Sequence, residues 1–360
     1  MLILSEADVR SCLPMDRAIE ANKRALGSLR RAGDGGATVP TRIGLPYRGS
    51  SSAAAAEDWT LFKPAMYEPS NDVGGNQPSL MGMKLVSVRG GNPSLGLPTV
   101  PATVMLVDCK TGIVSALLGG TYLTAARTAA GSAVATDCMA SSNKRLHLLV
   151  FGAGLQAAMH IEAVRSVRNI GRVSIVNRSA GRAEQLVART REKMKETEEQ
   201  EKEMDVTLLG DRDAVKGVVR TADIICTTTN TTTPLFDGSW VKPGCHLNGV
   251  GSFTANMEEI PSDFIEKRCH VVIDTPEAIN VGDLKCISEA SENYVGLLGD
   301  VMAGNAHLAN DDDKGGCIES TSTLDCSLFK SVGTAIQDVI TAHEVYQEAI
   351  RRGVGTEVKM

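Results

Sequence analysis

Aromatic residues are scarce in this 360-residue chain, with two Trp, five Tyr and six Phe amounting to 4%. So few rings, beside 35 glycines, suit close-packed α/β units with tight turns better than a lectin or an antibody-like sandwich. Paired cysteine motifs are missing as well. The nine cysteines include no C-x-x-C and are odd in number, whereas a disulfide framework belongs to short secreted chains. Buried thiols in a reducing compartment are expected instead. The six histidines form no H-E-x-x-H or similar spacing, so no metal site is expected. No apolar run approaches the roughly 18 to 20 residues of a membrane helix. The opening MLILSEADVR turns acidic and polar after four residues, unlike a secretory leader, so a cytoplasmic location is expected. Basic residues are scattered and net charge is -6, which argues against nucleic acid as a partner. Nucleophilic catalysis lacks a G-x-S-x-G or a cysteine with an evident histidine partner.

Hydrophobic residues at 42% and charged residues at 22% are near the globular average. At roughly 150 residues per domain, the length predicts two domains. Ser5-Glu6-Ala7-Asp8 reads as a capping box, and Pro14 fits the first turn of a second helix ending at Gly33 to Gly36. Residues 48 to 58 read as a small, polar loop. Three β-rich stretches between 80 and 118 read as antiparallel strands, with Asp108 to Gly112 as a hairpin turn. Residues 121 to 140 are rich in Ala, Gly and Ser and predict a buried helix. Residues 191 to 203 form a charge run that reads as a solvated helical extension. Residues 303 to 316 read as a surface loop, and a helical period returns from Leu328 to Ile350.

The plainest signal lies mid-chain. Leu146 to Phe151 is apolar, followed at once by Gly152-Ala153-Gly154-Leu155-Gln156-Ala157, an amphipathic stretch, and a second β-like run from Arg172 to Asn177. Strand, glycine turn, helix, strand is the mononucleotide-binding βαβ unit. Gly152 permits the tight turn, Gly154 lets backbone approach a pyrophosphate, and small Ala157 lets helix and strand pack closely. N–H groups at the helix start, with the helix dipole, suit phosphate oxygens. The second strand ends in Val176-Asn177-Arg178-Ser179, without the Asp or Glu that bonds an NAD ribose. Asn177 does not repel a 2′-phosphate, Arg178 can pair with one and Ser179 adds a hydroxyl, so NADP(H) is favoured over NAD(H). Strand-like runs continue at Asp205–Leu209, Ala222–Thr228, His246–Val250 and His270–Asp274. Cys226 and Cys245 lie on or beside them and read as core residues.

These stretches and several others together resemble the ornithine cyclodeaminase and mu-crystallin family over nearly the full length. The residues that carry the resemblance are Val39-Pro40-Thr41-Arg42, Gly82 to Val86, Leu123 to Ala130, Gly152 to Ala157 with Gln156, His246 to Gly251, and Leu328-Phe329-Lys330-Ser331-Val332-Gly333. The resemblance implies an α/β fold: a Rossmann-type doubly wound parallel sheet over 127–319, plus a discontinuous α+β substrate-binding and dimerisation domain from 1–126 and 320–360. It implies a homodimer and a small amino- or imino-acid substrate. It places Arg42, Lys84 and Arg127 around that substrate. Of these, Lys84 and Arg127 are the catalytic candidates. It implies cofactor contacts at Thr99, Gly152, Gly154, Leu155, Gln156 and Val250, with Ser331 to Gly333 near the nicotinamide. The chemistry agrees, since a planar guanidinium clamps a carboxylate with two charge-assisted bonds. A partly buried lysine can have a lowered pKa and handle a proton near a reacting C–N bond.

One departure bears on the reaction. The family's cyclodeaminases carry an Asp two residues after the glycine that ends N-x-V-G, and here Phe253 stands there. The family's acid ahead of its early proline is also absent, with Leu61 near that place before Phe62-Lys63-Pro64. Hydride transfer, a carboxylate clamp and a proton donor can all remain. The expected function is therefore an NADP(H)-dependent oxidoreductase on C–N bonds that reduces a ketimine or imino acid to an amino acid, or runs the reverse. The alternatives are a cyclodeaminase using another acid, such as Glu258 or Asp300, or a non-catalytic binder of cofactor and small ligand.

Overall fold

The computed structural model describes residues 1–29, 36–47, 58–69, 78–141, 145–196, 203–306 and 324–359. The chain divides into two compact units, Met1–Arg127 with Gly333–Met360, and Thr128–Val332.

The first unit is built on a mixed sheet. Its strands are β1 (Leu2–Leu4), β2 (Ala37–Thr38), β3 (Ile43–Tyr47), β4 (Asp58–Tyr67), β5 (Leu80–Val88), β6 (Ala102–Val107), β7 (Val114–Gly119) and, near the chain end, β16 (Thr356–Glu357). The order is β16-β1-β7-β6-β5-β4-β2, with β3 also on β4. The antiparallel β5, β6 and β7 match the expected strands. Asp108 Oδ1 accepts from Thr111 N at 2.7 Å in the hairpin between β6 and β7. Strand β4 was not anticipated because Pro64 interrupts it. A proline is tolerated where its missing N–H faces no partner. Here β3 ends its pairing at Phe62 and β2 begins at Met66, so Pro64 falls between them.

Helix α1 (Glu6–Cys12) starts at the expected capping box, with Ser5 Oγ accepting from Asp8 N. Helix α2 (Met15–Gly27) stops at Gly27, earlier than expected. Of Gly33 to Gly36, where its end was placed, residues 33–35 lie outside the described residues, as do 48–57 of the small polar stretch. The small-residue helix is α3 (Thr121–Met139). Helix α9 (Ala335–Arg352) buries Ile336, Val339, Ile340 and Val345 and packs on β4, β5 and β6 as well as on α2. The approach is close. A Cβ at Gly82 of β5 would lie 3.2 Å from Val339.

The second unit is a parallel sheet ordered β10-β9-β8-β11-β12-β15-β13-β14. The strands are β8 (Leu146–Phe151), β9 (Ile170–Asn177), β10 (Glu203–Leu208), β11 (Ile224–Thr227), β12 (His246–Gly249), β13 (Cys269–Ile273), β14 (Tyr294–Leu297) and β15 (Cys326–Lys330). Helices α4 (Leu155–Val167), α5 (Ala180–Glu196), α6 (Arg212–Thr221), α7 (Ser262–Arg268) and α8 (Leu298–Met302) connect them. The third, second, first, fourth and fifth strands run side by side, which is the Rossmann order. The inner strands β8, β11, β12, β13 and β15 are buried on both faces, as helix-covered parallel sheets require. Cys226 and Cys245 are buried core residues, as expected.

Two expectations are corrected. Leu328–Lys330 is not helical, because it belongs to β15 between β12 and β13. A strand buried on both faces shows no period-2 alternation and is easily confused with a helix. The same strand moves the second boundary from 319/320 to Val332/Gly333, and the first falls at Arg127/Thr128. Of the charge run, α5 carries residues to Glu196 and β10 begins at Glu203, while 197–202 lie outside the described residues. Residues 307–316 of the expected surface loop lie outside them too.

Candidate active site

Chemistry-bearing side chains gather in the first unit where α9 crosses β4 and β5. Alternation along β5 turns Leu80, Gly82, Lys84 and Val86 inward. Along β4 it turns Lys63 and Ala65 inward. Lys63 and Lys84 are register partners across the antiparallel pair. Like charges directly opposite are destabilising, and both side chains are buried, Lys84 at 1% exposure and Lys63 at 4%.

Asp338 answers part of this charge from α9. Its Oδ1 accepts from Lys84 Nζ at 2.7 Å and from Arg127 Nε at 2.8 Å. Its Oδ2 is buried without a hydrogen-bond partner among the described residues. Lys84 Nζ also lies 3.4 Å from Thr124 Oγ1 of α3. Arg127, 4% exposed, donates Nη1 to Gln337 Oε1 at 3.2 Å, and Gln337 Nε2 donates to Asn22 Oδ1 at 2.8 Å. The guanidinium is thus held on two sides by α9, and α9 is tied to α2.

Gly333 closes the cluster. Its carbonyl accepts from Lys63 Nζ at 2.8 Å, and Arg42 Nη2 reaches toward the same oxygen at 3.5 Å. With φ +76° it occupies the left-handed region, and a Cβ there would run into the Arg127 guanidinium. Only glycine fits such a position without strain.

Burial, followed by neighbouring Arg127, lowers the Lys84 ammonium from 10.5 to about 7, although Asp338 pulls it upward. Burial and then Lys84 lower Lys63 well below its ordinary value. Burial alone would raise Asp338, but Arg127, Lys84 and Lys63 together hold it below the usual carboxylate range. A lysine poised near neutrality can give or take a proton at physiological pH.

The second unit carries the glycine turn at the carboxyl end of β8, beside the reversal of strand order between β8 and β11. That is where open α/β sheets bind ligands. Gly152 has φ +116°, and a Cβ there would meet Thr228 Oγ1 at 2.6 Å. Gly154 precedes the first turn of α4, and a Cβ on it would meet nothing within 4 Å. The protein leaves that space open, as a backbone-to-phosphate approach needs. Gln156 Oε1 is buried at the helix start with no partner among the described residues, and Leu155 is exposed. These features fit a dinucleotide. At the end of β9, Asn177 Nδ2 donates to Ser179 O at 2.9 Å, while Arg178 and Ser179 are exposed. Val250 N donates to Thr227 O at 3.1 Å. Ser331 Oγ donates to Asp274 Oδ2 at 2.8 Å. Thr99, in the first unit, is exposed, and its carbonyl accepts from Arg89 N at 2.9 Å.

Arg42, Lys84, Arg127 and Gly333 therefore come together in one cluster, and Gly152 to Gln156 with Asn177 to Ser179 sit on adjacent strand ends of the other unit. Sequence reading missed Lys63, Asp338 and Gln337 as site residues. Asp338 interrupts the apolar stripe of α9 and Lys63 sits in an otherwise apolar strand, and either anomaly is a usable signal. Phe253 is 40% exposed. Of the alternative acids, Glu258 is engaged by Lys285 Nζ at 2.7 Å and by Ser262 Oγ at 3.1 Å. Asp300 is buried in α8.

The Δ1-pyrroline-2-carboxylate reductase of Bacillus cereus is 32% identical over 365 residues, spanning 100% of both chains. The ketimine reductase mu-crystallin of Macropus fuliginosus is 28% identical over 329 residues, covering 91% of this chain and 90% of its own. Among solved structures, the Thermococcus litoralis Δ1-pyrroline-2-carboxylate reductase in complex with NADH and L-proline superimposes with a TM-score of 0.82. It is 29% identical, over 99% of this chain and 100% of that one. The family model for ornithine cyclodeaminase and mu-crystallin matches residues 66–353. The chain belongs to the ornithine cyclodeaminase/mu-crystallin family.

Proposed function

We propose that this chain is a nicotinamide-dependent oxidoreductase that reduces the C=N bond of an imino acid to an amino acid. The observation that carries the reading is Lys84, buried, anchored by Asp338 and held near neutrality in its proton affinity. The relatives named as imine-carboxylate and ketimine reductases support it.

Arg127 and Arg42 orient the substrate carboxylate. Asp338 fixes Arg127 from the Nε side and keeps Lys84 pointed at the same place. Lys84 gives its proton to the substrate nitrogen as the C=N π bond opens, so that a C–H and an N–H bond form together. The hydride for the imine carbon would come from a reduced nicotinamide, which would be oxidised in the same step. Gly152, Gly154, Leu155 and Gln156 would cradle the pyrophosphate, with Thr99, Val250, Ser331 and Gly333 as further candidate cofactor contacts. Asn177, Arg178 and Ser179 would hold a 2′-phosphate, which would favour NADP(H) over NAD(H). The Thermococcus relative was solved with NADH, so Michaelis constants for both cofactors test this part, and a clear NADH preference overturns it. A cytoplasmic homodimer completes the reading. On β3, Ile43, Leu45 and Tyr47 point to one side and are 60%, 54% and 55% exposed, which supports a subunit contact there.

The test is a screen of cyclic imino acids, and of α-keto acids with ammonia, by loss of reduced-nicotinamide absorbance, with ornithine as a parallel substrate. Imine-dependent oxidation is expected. Ammonia and proline from ornithine would favour the cyclodeaminase instead, and tight cofactor binding without any turnover would favour a binder.

A further inference from the structure

Lys63 is left over by the reductase chemistry. Lys84 and Arg127 both end on Asp338. Lys63 makes no ion pair among the described residues, and its ammonium rests on the neutral carbonyl of Gly333. It faces Lys84 directly across β4 and β5, with Arg127, Arg42 and Asp338 as the other charged groups felt at its position. Burying an ammonium beside other cations is costly, and an apolar side chain of similar length would serve packing better. Three cationic side chains, Arg127, Lys84 and Lys63, thus act on the one carboxylate that Lys84 and Arg127 share. A single substrate carboxylate clamped by the arginines leaves the charge on Lys63 uncompensated.

We propose that Lys63 receives a second carboxylate, so that the substrate is an imino acid with two carboxylates on one small skeleton. This rests on the imino-acid reading of the same site. The carboxylate on the imine carbon goes to Arg127 and Arg42. The second goes to Lys63, where it meets a buried ammonium with no competing anion of its own. Such a charge-assisted bond discriminates strongly, because a substrate without the second carboxylate leaves the buried group unmatched. Binding has a proton signature. In the free protein Lys63 holds its proton weakly, and an arriving dianion favours the charged form. Binding is therefore coupled to proton uptake wherever the free protein leaves Lys63 neutral.

The experiment uses the full chain with saturating reduced cofactor. Pyruvate, oxaloacetate and 2-oxoglutarate, each with ammonia, are compared by kcat/KM in the unaltered protein and in Lys63→Met and Lys63→Arg. The dicarboxylates are expected to be favoured by about 10- to 100-fold. Lys63→Met should collapse that ratio toward one, mainly through KM, and Lys63→Arg should restore part of it. Equal use of pyruvate, or a ratio untouched by Lys63→Met, overturns the proposal while leaving the reductase reading in place. If no imine is reduced at all, the reductase reading fails, and calorimetry with succinate against propionate decides the anion site separately. Tighter succinate binding with proton uptake, lost in Lys63→Met, upholds it, and equal binding of the two acids overturns it. Thermal melts of each variant establish that it is folded.

Discussion

Lys84→Met separates the chemistry of Lys84 from its packing. Methionine keeps most of the length and apolar stem and removes the ammonium. Asp338 retains the Arg127 Nε bond at 2.8 Å, so the carboxylate is not orphaned. The lost ion pair is offset by relief of burial, the main force holding the Lys84 ammonium down at about 7. Little change in melting temperature is therefore expected. The effect on turnover should be large. A positioned proton donor contributes about 100- to 10,000-fold, equivalent to about 3–5 kcal/mol of barrier. The protonated form is the active acid for imine reduction. With its pKa near 7, kcat/KM in the reductive direction should be full at lower pH and fall as pH rises through about 7. Lys84→Met should lose both the rate and that limb, while cofactor titration by fluorescence stays unchanged, because the glycine turn belongs to the other unit. Turnover within about threefold of the unaltered protein, or a surviving limb near pH 7, would refute the role.

Other perturbations have definite signs. Asp338→Asn leaves Lys84 and Arg127 buried without their carboxylate and should cost about 3–5 kcal/mol of stability; the Lys84 limb should move below about 7, and an unchanged melting curve would count against the network. Gly333→Ala imposes a strained φ and displaces Arg127, at a cost of about 1–3 kcal/mol, with a raised KM for the imino acid; a normal KM would contradict the clamp. Leu45→Lys puts charge on the exposed face of β3 and should shift light scattering from dimer to monomer, whereas an unaltered mass would place the subunit contact elsewhere.

The dinucleotide unit was the more legible half of the sequence. Its glycine turn, small Ala157 and repeated apolar runs are local signals that a parallel sheet must carry. Lys84 and Arg127 were also readable, because cations among small and apolar neighbours are anomalous. Lys63 and Asp338 carry a local anomaly too, but their role in the cluster is long-range. Lys63 matters through its register partner on β5 and through Gly333, 270 residues away. Asp338 matters through two cations on β5 and α3. Strand β15 was misread for the opposite reason. Buried on both faces, Cys326 to Lys330 lacks the alternation that identifies a strand.

Isotope transfer tests the central claim most directly. Reduced nicotinamide cofactor bearing deuterium at the transferring carbon is incubated with the protein and an imino acid, and the product is read by mass spectrometry. The account predicts an amino acid carrying one deuterium at its α-carbon, formed in equal amount to the oxidised cofactor. Unlabelled product, or cofactor that is bound and never oxidised, would contradict it.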